Sequence, residues 1–214
     1  MNKAILGKKL GMTQKFLEDG RLVPVTVIQA GPCTVVQKKT VESDGYESVQ
    51  VSYDTLPENR AKKLVNKPTA GHYKKAGVAP ARHLKEFRFE DISSYEVGQS
   101  LTVAQFSAGD KVDVTGTSRG RGFTNLIQSH NYSKGPTSHG SKYHRGVGAL
   151  SGSATPSKVF KGRPLPGQYG NTKVTIQNLE IIEVDEERNL LLVHGAVPGP
   201  KNSLLFVRNS CKAK

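Results

Sequence analysis

Three histidines near the middle of the chain are the residues whose types first suggest chemistry. His139 and His144 are five residues apart and His130 lies upstream. A zinc site usually has four ligands, often cysteines or carboxylates, and no acidic residue or cysteine occurs between Val114 and Leu179. We therefore predict no metal site.

Other chemical motifs in the same stretch are incomplete. "GRGFTN" has the first two glycines of a dinucleotide fingerprint but lacks the third and the later acidic residue, and "GPTSHGSK" places Lys142 one position late for a phosphate-binding loop. Ser138 and His139 could act as nucleophile and base, but no acid is near to orient the histidine. We expect no catalytic residue and no cofactor.

The same stretch is well suited to binding phosphates. Its 66 residues, 114–179, contain half of the 22 glycines and no carboxylate. Arginine and lysine neutralise phosphates, glycine permits close backbone approach, and aromatic rings stack on unpaired bases. For Phe123 and Phe160 a small local core is the alternative. The predicted RNA-binding residues are Arg119, Arg121, Lys134, His139, Lys142, Tyr143, His144, Arg145, Lys158, Phe160, Lys161 and Arg163.

The composition of the whole chain agrees with a polyanionic partner. The net charge is +13 and the pI is about 9.8, which favours nucleic acid, with an anionic membrane surface or a merely solubilising charge as rivals. No signal peptide or membrane-spanning apolar run is visible, so we expect no membrane association. Cys33 and Cys211 lie far apart, which favours a reducing compartment and a cytoplasmic protein.

The remaining sequence predicts short strands joined by tight turns. "MTQKFL" and "RLVPVTVIQ" flank an Asp19-Gly20 turn, and "CTVVQKKT" and "YESVQVSY" flank Asp44-Gly45, so the opening is predicted to be one antiparallel meander. Pro24 suggests an edge or a bulge. "LKEFRF", "SLTVAQF", "KVDVTGTS", "TKVTIQNLEIIEVD", "LLLVHGAV" and "SLLFVRN" read as further strands. Six or more such strands favour a barrel or sandwich.

Residues 57–83 interrupt this pattern. The segment is basic, weakly apolar and rich in proline and glycine. Thr69 could cap a short helix through Tyr73 to Ala76 that ends at Gly77. We expect a small helical and irregular excursion here.

Five blocks of sequence resemble the bacterial large-subunit ribosomal protein L-three family, in order and over essentially the full chain. They are "ILGKKLGMTQKF", "FSAGDKVDVTGTSRGRGF", "SHGSKYHRGVG", "VFKGRPLPGQYGN" and "NLLLVHGAVPG". The resemblance implies a mainly β fold, with a six-stranded barrel like that of translation factors and a long basic loop that penetrates ribosomal RNA. The barrel part would comprise residues 1–115 and 170–214, and the loop residues 116–169.

The resemblance also implies roles and partners. Gly116 to Phe123 look like the start of the loop, and its tip near the peptidyl transferase centre would include Gly148, Ser151, Gly152, Ser153, Ala154 and Thr155. Asn125 and Ser129 replace residues that are commonly small or basic in the family, which predicts fewer phosphate contacts there. Ala154 replaces a glutamine that is methylated in some relatives, so we expect no such modification.

The function implied is that of a structural protein of the large ribosomal subunit. It would bind large-subunit RNA directly, contact neighbouring ribosomal proteins, support early assembly and buttress the peptidyl transferase centre, with no homo-oligomer expected. The alternatives are a β-barrel RNA-modifying enzyme, which should show converging carboxylates or histidines, and a free-standing RNA chaperone.

Overall fold

The computed structural model describes residues 3–150 and 152–213. The chain divides into two compact units: residues 1–117 with 173–214, which we call the barrel unit, and residues 118–172, which we call the insert. Within the described residues no helix is long and apolar enough to cross a membrane.

Most of the regular structure is β. The strands are β1 Ala4–Phe16, β2 Leu22–Ala30, β3 Cys33–Lys39, β4 Ser48–Thr55, β5 Ala81–Phe87, β6 Ser100–Leu101, β7 Lys111–Thr117, β8 Phe123–Thr124, β9 Gly167–Gln168, β10 Lys173–Asp185, β11 Leu190–His194 and β12 Leu204–Asn209. The helices are α1 Val41–Asp44, α2 Glu58–Leu64, α3 Lys67–Ala76 and α4 Leu126–Ser129, with a 3₁₀ turn at Val103–Gln105.

Six antiparallel strands close a barrel in the order β1-β12-β7-β10-β11-β2, which confirms the predicted fold class. Alternate side chains of these strands point inward, and Ile5, Ile28, Val114, Leu191 and Val207 are fully buried. Closure leaves the barrel strands without long unpaired edges.

The first four strands do not form one meander, so that prediction is wrong. β1 and β2 pair around the Asp19-Gly20 turn, with Phe16 opposite Leu22, and stay in the barrel. β3 and β4 belong instead to a second sheet of order β5-β4-β3-β6. Pro24 lies on β2 one residue beyond its register with β11, and its carbonyl oxygen still accepts from the Gly195 N–H over 2.9 Å, so the pairing on that side ends at Pro24.

Two of the predicted elements have different bounds. α3 begins at Lys67 with Asn66 as N-cap, before Thr69, because Pro68 suits the first helical turn, while its end at Gly77 (φ +66°) is as predicted. "SLTVAQF" is strand only at Ser100–Leu101. The 3₁₀ turn that follows brings Val103 and Phe106, three residues apart, into the core together.

β7 and β10, the two strands of the barrel unit that flank the insert, pair with each other. Thr117 of β7 lies opposite Lys173 of β10. Asn178 (φ +58°) occupies a register shift in β10, and its backbone N–H donates to Asp113 of β7 over 3.1 Å. The chain therefore leaves and re-enters the barrel at adjacent positions.

Candidate nucleic-acid interface

The base of the insert is held by backbone pairing. Ser118 N–H donates to Thr172 O, and Arg121 N–H donates to Tyr169 O, each over 2.9 Å, before β8 and β9 pair. Gly170 (φ +70°) permits this closure because a Cβ there would lie 2.1 Å from the Arg119 carbonyl oxygen. The two arms of the insert are thus in register where they start.

Arg121 is held at this base by an aromatic ring. Its guanidinium lies 5.5 Å from the centre of the Tyr169 ring, within the range of a cation–π contact. Arg119 and Arg121 are both exposed. The contact steadies one guanidinium while leaving its charge available to a ligand.

α4 is tied to the rest of the insert by Asn125. The Asn125 side chain accepts from Ile127 N–H at the helix start (3.3 Å), and its Nδ2 donates to the Arg145 carbonyl oxygen (2.8 Å). Thr124 and Leu126, on either side, are the only buried residues of the described part of the insert. We did not foresee this structural role, although an asparagine directly before a helix is a capping signal.

Tyr143 is packed against glycine backbone rather than standing free. A Cβ at Gly146 would lie 2.2 Å from the Tyr143 ring, and one at Gly135 would lie 1.9 Å from the Tyr143 carbonyl oxygen. The Gly135 N–H donates to His144 O over 3.0 Å. Tyr143 is still 48% exposed. The glycines therefore position an aromatic ring in a segment that has almost no core.

The predicted cationic residues are exposed without exception, and none makes an ion pair within the described residues. They are Arg119, Arg121, Lys134, His139, Lys142, His144, Arg145, Lys158, Lys161 and Arg163. Lys3–Asp110 (2.7 Å) and Lys39–Glu86 (2.9 Å) show that cations of the barrel unit do find carboxylates. Phe123 (79% exposed) and Phe160 (63%) are also outside any core, so the local-core alternative is wrong for both.

The predicted tip is exposed at Gly148, Gly152, Ser153, Ala154 and Thr155, whereas Ser151 lies outside the described residues. The Arg163 guanidinium donates to the backbone carbonyls of Ala149 and Leu150. Arg163 thus braces the chain beside the tip, a role that we did not predict, and one of the predicted phosphate ligands is partly used within the protein.

No metal-binding cluster is found among the described residues, and the buried Cys33 is not reactive. No group of three or more His, Cys, Asp or Glu side chains within the described residues could hold a metal. Burial raises the pKa of the Cys33 thiol to about 12, so Cys33 is not a nucleophile at neutral pH. The arrangement that remains is an exposed, unneutralised basic surface.

Comparison with known proteins agrees with this geometry. The family model described as Ribosomal protein L3 matches residues 86–190, which include β7 and the whole insert. The chain is 53% identical over 214 residues to "Large ribosomal subunit protein uL3" of Desulfitobacterium hafniense (strain Y51), covering 100% of this chain and 99% of that protein. The chain therefore belongs to the ribosomal protein L3 family, which is a family of structural ribosomal proteins and not of enzymes.

Proposed function

We propose that this protein is a structural constituent of the large ribosomal subunit that binds large-subunit ribosomal RNA directly through its insert. The observation that carries the proposal is that every lysine and arginine of the insert is exposed, in a segment without carboxylates. Such a surface repels itself unless a polyanion neutralises it, and RNA supplies one phosphate per nucleotide. Family membership supports the same partner.

The phosphate contacts should be spread over both arms of the insert. Folded RNA exposes dense backbone and few base edges, so the arginines and lysines would position the protein, and Phe123, Phe160 and the free part of Tyr143 would pack against riboses or unpaired bases. The site of action would be the cytoplasmic ribosome, where neighbouring ribosomal proteins are further partners.

The tip should serve a different purpose from the arms. Gly148 and residues 152–155 carry no charge, so they add little affinity. Their small side chains would let the backbone lie close to the RNA of the peptidyl transferase centre. The arms would then support early assembly of the subunit, and the tip would buttress the catalytic RNA.

Sedimentation of cell extracts tests the proposal. A tagged copy of the protein should travel almost wholly with large subunits in moderate salt. A free RNA chaperone would instead appear mostly in the unbound fraction, and that result would overturn the proposal.

Two variants test the division between arms and tip. The double variant Arg119→Ala with Arg121→Ala should reduce incorporation into large subunits. Gly152→Arg should incorporate normally, but its particles should respond differently to drugs that bind at the peptidyl transferase centre. Equal loss of incorporation in both variants, with an ordinary drug response for Gly152→Arg, would contradict this division.

A further inference from the structure

We infer that α2 and α3 of the barrel unit form a second RNA-binding surface, separate from the insert. We call it the helical basic surface, and it consists of Arg60, Lys62, Lys63, Lys67, Lys74 and Lys75. It rests on the proposed function only for the identity of the RNA, since its charge, packing and shape are features of the barrel unit alone.

The charge density of this region is higher than that of the insert. Residues 59–85 carry eight lysines and arginines and no carboxylate. The six cations of the helical basic surface are all exposed, and none makes an ion pair within the described residues. By contrast Lys39, on the neighbouring strand β3, reaches Glu86 over 2.9 Å.

Helix stability does not account for all of these cations. Lys62, Lys63, Lys74 and Lys75 lie in the last turns of α2 and α3, where positive charge is favourable. Arg60 and Lys67 lie in the first turns, where positive charge opposes the helix dipole. Their presence there indicates a role outside the helices.

α3 is anchored to the sheet on one side and carries cations on the opposite, outer face. Tyr73 is 1% exposed, and its hydroxyl donates to the Ala81 carbonyl oxygen over 3.2 Å, which fixes the opposite side of the helix to the sheet. Lys67, Gly71 and Lys74 follow one another at spacings of four and three, so they lie along one outer face. Gly71 leaves an open space between the two lysines, because a Cβ there would meet nothing within 4 Å.

A cleft of about 280 Å³ beside α3 favours a nucleotide over an acidic peptide. Apolar walls accept the face of a base, and ammonium groups accept its phosphate, whereas an acidic peptide needs only the charges. Among the described residues that line the cleft there is no carboxylate. Its lining includes Val36, Ala76, Val97, His72, Lys38 and Lys75.

Gly71 allows a charge series at one position. Gly71→Glu, Gly71→Gln and Gly71→Lys add side chains of similar length, and each raises helix propensity relative to glycine, so all three should fold. The probe is deproteinised large-subunit ribosomal RNA, and the readout is affinity of the full chain in moderate salt. We expect affinity to rise in the order Glu, Gln, Lys, with about two- to fivefold between neighbours.

Gly71→Gln is the matched control for size, and it separates charge from steric hindrance. If all three variants bind the RNA with the wild-type affinity, the helical basic surface does not bind RNA while the proposed function stands; an equal loss in all three would instead show steric hindrance at a surface that does bind it. If wild type itself does not bind the RNA, the proposed function fails first. Thermal unfolding of all three variants at or slightly above the wild-type temperature would show that the comparison is between folded proteins.

Crosslinking in the assembled particle identifies the partner. A benzophenone amino acid at Gly71 fits the open space there. We expect a crosslinked product that ribonuclease digests. A product formed solely with a neighbouring protein or with lipid would overturn the inference.

Discussion

Asp113 is the last carboxylate before the acid-free stretch, and it is fully buried on β7. It accepts hydrogen bonds from the backbone N–H groups of Asn178 (3.1 Å) and Cys211 (3.5 Å), and Arg208 Nη2 lies 3.5 Å away. One side chain therefore holds the β10 irregularity and the C-terminal segment to β7. This carboxylate therefore has a structural role, although it directly precedes a stretch of 66 residues without acids.

We expect Asp113→Ala to lower the free energy of unfolding by about 2–4 kcal/mol, because it leaves two N–H groups and a guanidinium without their acceptor. Denaturant unfolding of the free protein measures this. The exposed Glu187→Ala is the control and should stay within about 0.5 kcal/mol of wild type. A similar small effect for Asp113→Ala would contradict the assigned role.

Glu86 provides a pH-dependent contribution to stability. The hydrogen bond from the Lys39 ammonium, followed by one from the Tyr46 hydroxyl, holds the pKa of Glu86 below its ordinary value. A carboxyl whose pKa is lowered on folding stabilises the protein above its unfolded pKa, and that stabilisation is lost as pH falls through the folded pKa.

Glu86→Gln should therefore lower the free energy of unfolding at pH 7, by at most about 1 kcal/mol because the pair is partly exposed to solvent. The difference from wild type should disappear as the pH falls below about 4. Denaturant unfolding at pH 7 and at several acidic values measures it, with Glu187→Gln as the control. An equal loss at every pH would indicate a packing effect instead.

At the scale of elements, the closure of the insert depends on Gly170. Its positive φ and the 2.1 Å approach to the Arg119 carbonyl exclude a side chain. Gly162 (φ +82°) also has a positive φ, but open space surrounds it. An alanine at Gly162 would therefore meet only backbone strain, whereas an alanine at Gly170 would meet the same kind of strain and a steric clash.

Gly170→Ala should loosen the base of the insert and speed hydrogen exchange at the Arg121 and Tyr169 N–H groups, while barrel unfolding changes little. Gly162→Ala carries only the strain of a positive φ, of order 1 kcal/mol, and should leave exchange at those two groups unchanged. Exchange measured residue by residue on free protein distinguishes the two. Equal exchange at the base in both variants would mean that the clash is relieved without opening the pairing.

The elements that periodicity governs were predictable from sequence, and those that depend on packing were not. The alternation of apolar and polar residues and the Asp19-Gly20 turn predict the β1–β2 hairpin, because both signals depend only on residues that are close together in the sequence. Whether β3 joined the barrel or a second sheet depends on contacts far apart in sequence. The turn at Val103–Gln105 replaced a strand because the core needed both Val103 and Phe106.

The candidate interface was predictable in its charge but not in its internal contacts. The absence of aspartate and glutamate from residues 114–179 is visible in the sequence itself, and it singles out the lysines and arginines of the insert as candidate ligands of RNA. The bond from Asn125 to the Arg145 carbonyl, the bonds from Arg163 to the carbonyls beside the tip and the contact of Tyr143 with Gly135 each join residues 8 to 20 positions apart. For residues 57–83 the sequence indicates only a basic excursion, since the face shared by Lys67, Gly71 and Lys74 depends on where α3 begins.

At the scale of the whole molecule, the two units differ in what stabilises them. The barrel unit has an extensive apolar core, whereas only Thr124 and Leu126 are buried in the described insert. High glycine content and unopposed charge leave too little apolar burial to offset chain entropy. In free protein, hydrogen exchange should be slow in the barrel strands and fast over residues 130–166. Slow exchange over residues 130–166 without RNA would contradict this prediction.

The barrel unit should also fold without the insert. Thr117 and Lys173 are opposed across paired antiparallel strands, so an Asn-Gly turn in place of residues 118–172 can close them as a hairpin. Where the insert is flexible in free protein, its replacement by two residues reduces the entropy cost of closing the loop by up to roughly 3 kcal/mol, so the deletion variant should be at least as stable as wild type. Denaturant unfolding and circular dichroism measure this.

The same deletion variant should lose most of its affinity for large-subunit RNA. It should keep the weaker binding of the helical basic surface, and Gly71→Glu in the deletion variant should weaken that binding further. A deletion variant that fails to fold would show that the barrel depends on the insert, and one that keeps full RNA affinity would remove the insert from the interface.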